Sequence, residues 1–124
     1  MTDALSPPLE DPARSTLLVE VIRCWRAACD AGQAVQPRLS ALLHRHAGEM
    51  MAPVFDSLLS LFEAAIGRRL AVGVAGQVSE DERMVLGLLD GSRPQRACIN
   101  CTEGAASALN CAVCSTRVMM AMAL

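Results

Sequence analysis

Residues 12–29 read PARSTLLVEVIRCWRAAC, and their spacing decides the fold class. Leu17, Leu18, Val21, Ile22, Trp25, Ala28 and Cys29 recur at helical spacing and form one apolar stripe. Arg23, Arg26 and Asp30 fall mostly off that stripe, where water can solvate them. Asp11-Pro12 supplies a start, an N-cap followed by proline at the first helical position. Gly32 supplies a stop.

The same period runs outward from this helix. Leu39, Leu42, Leu43 and His46 continue into Met50, Val54, Leu58, Leu61, Phe62 and Ala65, interrupted by Gly48 and Pro53. Proline within a helix removes a hydrogen bond and clashes with the preceding turn. The region is therefore predicted to kink or to divide into helices over 37–47 and 50–66, closed by Gly67. Residues 67–78, GRRLAVGVAGQV, hold three glycines and three valines and predict a short irregular or extended segment near 68–78. Ser79-Glu80-Asp81-Glu82 then marks a helix start, in which Ser79 and Glu82 have the spacing of a capping box. Met84, Val85, Leu88 and Leu89 form its buried stripe and Gly91 ends it. Residues 105–124 are almost wholly apolar and predict a last helix.

The expected architecture is all-α, an antiparallel bundle of four or five helices. Its predicted core is Leu18, Ile22, Trp25, Leu43, Val54, Leu58, Phe62, Leu88 and Leu89. Residues 1–10, with Pro7 and Pro8, read as a mobile N-terminal tail, and 11–124 as a single helical domain. Composition agrees. The 124 residues suit one domain, and 52% are hydrophobic, far from the composition of a disordered chain. The apolar set is Leu, Ala, Val and Met, with Trp25, Phe55 and Phe62 the only aromatic residues. Leu, Ala and Met favour helices, whereas strands favour aromatic and β-branched residues.

Several function classes drop out. A net charge of −2 gives no nucleic-acid footprint. All eleven basic residues are Arg, which removes Schiff-base and P-loop lysine chemistry. No nucleophile elbow or dinucleotide fingerprint occurs. Asp56 and Glu63 read as members of a solvated helix face. The N-terminus lacks the basic and apolar regions of a signal peptide, so the cytoplasm is the expected compartment. A membrane span is not expected, because Asn110 and Arg117 interrupt the C-terminal apolar stretch.

The remaining chemistry lies in the thiols. Cys98, Cys101, Cys111 and Cys114 form two Cys-x2-Cys pairs, the usual ligand set of structural zinc. On one continuous helix Cys101 and Cys111 would stand about 80° and about 15 Å apart. A shared zinc ion thus requires residues 102–109 to loop back, with the helix beginning near Asn110. Without it, the helix begins near Thr102 or Glu103. The alternatives are buried, metal-free cysteines, a redox switch, or an iron–sulfur cluster. Cys24 and Cys29 read as core. His46 and Glu49, at i and i+3, have the spacing to share a metal, but no second copy accompanies them.

Arg68-Arg69, the valine-rich Ala71–Val78 and the helix-opening Ser79–Glu82 together resemble small uncharacterised helical proteins of proteobacteria. Those proteins carry a cysteine run within the valine-rich segment. This chain places its pairs after Arg96 instead. The resemblance implies a bacterial helical protein and no particular activity.

The expectation is thus a small non-enzymatic binding or regulatory protein, with a structural zinc on the two cysteine pairs. The alternatives are a thiol-based redox-responsive protein and a metal-free helical dimer. A homodimer is expected, because the apolar C-terminal helix exceeds what one small domain readily covers, and it also offers a surface for a protein partner.

Overall fold

In a computed structural model, which describes residues 12–92 and 103–124, the chain is an all-α bundle. Among those residues it forms α1 (Pro12–Asp30), α2 (Val35–His44), α3 (Ala52–Ile66), α4 (Glu80–Asp90) and α5 (Glu103–Ala123). A 3-10 turn, Glu49–Met51, leads into α3, and there is no strand among the described residues. The predicted tail at 1–10 and the N-cap Asp11 lie outside them.

The second apolar region divides, as its proline implied. Pro53 is the second residue of α3, where no intrahelical donor is required, so it starts a helix rather than breaking one. Pro37 likewise sits in the first turn of α2, which begins two residues earlier than the proline suggested. Between the two helices Ala47 adopts φ 54, in the left-handed region. Gly67 and Gly91 close α3 and α4 in the left-handed region, at φ 73 and φ 81, which glycine adopts without steric cost.

The capping box forms. Ser79 Oγ accepts from the Glu82 amide at 3.0 Å, and the Glu82 carboxylate accepts from the Ser79 amide at 2.8 Å. The segment before it is irregular, and Leu70, 2% exposed, anchors it in the core.

The core gathers the apolar stripes of all five helices, including Ile22, Trp25, Leu39, Phe55, Phe62, Leu88 and Leu109. Every predicted core residue is buried except Val54, which is only half-buried. It stands at the edge of the α3–α5 contact and lines a surface groove rather than the interior.

Candidate functional site

α5 buries one narrow side and leaves the other open. Leu109, Val113, Thr116 and Met120 face inward, against α3 and α4. Thr116 Oγ1 donates to the Ala112 carbonyl at 2.6 Å, so its hydroxyl enters the core satisfied. On the outer side Ala108, Cys111, Cys114, Ser115, Val118 and Met122 are exposed. Val118 is 60% and Met122 78% exposed, and Met50 in the adjoining 3-10 turn is 62% exposed. Only 22% of the most apolar stretch of α5 is buried, so it is not an enclosed core helix. By length and composition alone it could cross a membrane.

Alongside this face runs an open groove of about 530 Å³ between α3 and α5. Val54, Leu61, Ala108, Cys111, Ala112 and Ser115 are among its lining residues. Arg117, the cation of α5, leaves the groove side. Its guanidinium lies toward the end of α4, where a Cβ on Gly91 would come within 3.3 Å of it.

Cys111 and Cys114 are both exposed on one face of α5. That corrects the alternative of buried thiols for this pair. Cys98 and Cys101 lie outside the described residues. Residues 103–109 are helical, where the reading with a shared zinc ion expects a loop. The run Ala105, Ala106, Ala108 and Leu109 favours helix, and Leu109 gains full burial by staying helical. Cys24 and Cys29 pack half-buried against the core, as expected. Burial pushes both thiols up, away from the reactive thiolate.

Among the described residues the two buried acids, Asp81 and Glu82, are occupied. Glu82, fully buried, accepts from Arg23 Nε at 2.8 Å and Nη2 at 3.1 Å, from the Ser79 amide, and from the Gly73 amide at 3.1 Å. Burial pushes its carboxyl up, but these donors outweigh that and hold it below the usual range. Asp81 takes a two-pronged contact from Arg68, at 2.6 and 2.7 Å, and the Ala71 amide at 2.8 Å. The Arg68 hydrogen bonds hold it low against burial. The capping spacing showed that Glu82 would turn back on Ser79. Its partners Arg23 and Gly73 are distant in sequence and left no signal there.

Asp56 and Glu63 do not form a solvated face. Asp56 accepts from the Trp25 indole at 3.0 Å and from Gln36 at 3.2 Å. Glu63 pairs with Arg26 and accepts from the Leu70 amide at 2.8 Å. His44, rather than His46, meets Glu49. Among the described residues, no three His, Cys, Asp or Glu side chains gather to hold a metal. Comparison of the chain with protein-family models, curated proteins and solved structures gives no match.

Proposed function

We propose that this chain is a small non-enzymatic binding protein that works by protein association, pairing with a second copy through the exposed face of α5. The observation that carries this reading is an apolar helix whose most apolar stretch is only 22% buried, bordered by an apolar groove. Exposed apolar patches of this kind mark interaction surfaces. The acids described above support a non-catalytic role. Each of Asp56, Glu63, Asp81 and Glu82 already accepts from partners within the chain, and such contacts would have to break before it could serve a substrate.

Light scattering across a range of concentrations is the test. A mass rising to that of a dimer is expected. Val118→Arg should return the monomer while leaving its helical circular dichroism nearly unchanged, because Val118 is exposed within the single chain. A monomer mass at every concentration would overturn the reading, and so would partition of the chain into phosphatidylcholine vesicles.

The exposure of Cys111 and Cys114 favours one second reading, a thiol-based redox protein. It expects peroxide to remove two titratable thiols and dithiothreitol to restore them. Unchanged thiol counts after peroxide would exclude it.

A further inference from the structure

We propose that Cys111 and Cys114 are half of a zinc site, completed by the same pair from a second copy of the chain across a twofold axis. The proposal rests on the dimer described above and names the ligand that such a dimer would hold.

The pair has the right geometry for one edge of a tetrahedron. Residues at i and i+3 on a helix have Cβ atoms about 5–6 Å apart. Zinc–sulfur bonds of about 2.3 Å place two tetrahedral sulfurs about 3.8 Å apart, within reach of thiols that lean toward each other. Cys111 and Cys114 are both exposed, so an approaching ion meets both. Structural zinc takes four protein ligands, and this pair supplies two.

The described surroundings do not supply the others. Among the described residues, the groove beside Cys111 is lined by Pro53, Val54, Ser57, Leu61 and residues of α5, with no other His, Cys, Asp or Glu. On α3, Asp56 is engaged by Trp25 and Glu63 by Arg26. Two-plus-two coordination is what an isologous contact provides, since a twofold axis presents the same patch from both partners.

The face around the thiols fits a second α5. Ala108, Cys111, Ser115, Val118 and Met122 follow the alternating three- and four-residue spacing of a helix-pairing seam. None is charged, so two copies can meet without burying an unpaired charge. Ala108 and Ser115 are small and permit close approach of the two backbones. The cysteines bracket the midpoint of Glu103–Ala123, so an axis between them lays the two helices over each other along their length. On binding, the four thiols release their protons to solvent and coordinate as thiolates, with no change of oxidation state.

The test joins metal analysis to mass measurement on the full chain, purified with zinc present. About one zinc per two chains is expected, retained in a Cys98→Ser, Cys101→Ser variant and lost in Cys111→Ser, Cys114→Ser. The second variant should keep its helical circular dichroism, because both side chains are exposed, and should self-associate at least about tenfold more weakly. Cobalt(II) in place of zinc should give the absorption of a tetrahedral four-thiolate site. About one zinc per chain, lost when Cys98 and Cys101 are changed, would overturn the proposal in favour of a site within one chain. A dimer equally strong without metal would remove the zinc site and leave the α5 dimer standing. A monomer under all conditions would remove both.

Discussion

Glu82 shows how a buried carboxylate is made tolerable. Arg23 neutralises its charge, while the Ser79 and Gly73 amides complete its hydrogen bonding. Replacing it with Ala would strand those donors. A charge-assisted hydrogen bond contributes about 1.5–3 kcal/mol, and part-exposed Arg23 can recover some hydration, so a loss of about 2–3 kcal/mol is expected in chemical denaturation. The pH dependence has a definite sign. Asp81 and Glu82 are both held lower in the fold than in the unfolded chain. Such groups stabilise the fold above their unfolded values, about 3.9 and 4.3, and lose that contribution as pH falls through the folded values. Melting temperature should accordingly be level near neutrality and drop below about pH 4. Glu82→Gln should flatten part of that acid limb. A limb identical to that of the unaltered chain would show that Glu82 does not carry it. The Arg23 and Gly73 contacts were not legible in the sequence, because each joins residues far apart along it. The capping half was legible because both of its partners lie within four residues.

Among the elements, α4 begins where local chemistry placed it, and Ser79 does more there than cap. Its hydroxyl accepts from the Glu82 amide and donates to the Ala71 carbonyl at 2.7 Å, tying the preceding loop to the helix start. Ser79→Ala is expected to cost about 1 kcal/mol or somewhat more. Amide exchange should quicken at Ala71 and Gly73, whose N–H groups are held by α4 carboxylates. Unchanged exchange there would mean that the loop holds without the serine. In α5 the two sides predict opposite outcomes. Leu109 is fully buried, so Leu109→Ala should cost about 2–5 kcal/mol. Val118→Ala, on the exposed face, should scarcely move the melting temperature of the monomer. Comparable losses at both positions would mean that the outer face is covered within one chain. The start of α5 was ambiguous in sequence, because the cysteine spacing allowed a loop and the alanine run favoured helix. Burial of Leu109 gives the tertiary reason for helix.

At the scale of the molecule, most apolar stripes converge on one core while α5 keeps an apolar face outside it. Removing zinc with a chelator is therefore expected to lower the mass of a zinc-linked dimer yet barely alter far-ultraviolet circular dichroism. The proposed ligands sit on the outer face of a helix whose inner face is already packed. A collapse of helix signal would instead show that metal supports the fold of each chain. Periodicity, punctuating glycines and the capping box determined the helical class, most of the helix limits and eight of the nine residues expected in the core, because these depend on residues within a turn or two of one another. Val54 was misplaced because its spacing identifies a stripe, and only the packing of α5 decides which edge of that stripe stays wet. Asp56 and Glu63 were misread for the same reason, since their partners arrive from α1, α2 and the loop after α3. Only the tertiary structure decided that Cys111 and Cys114 face outward, since exposure depends on which neighbours a helix acquires and no local spacing records that.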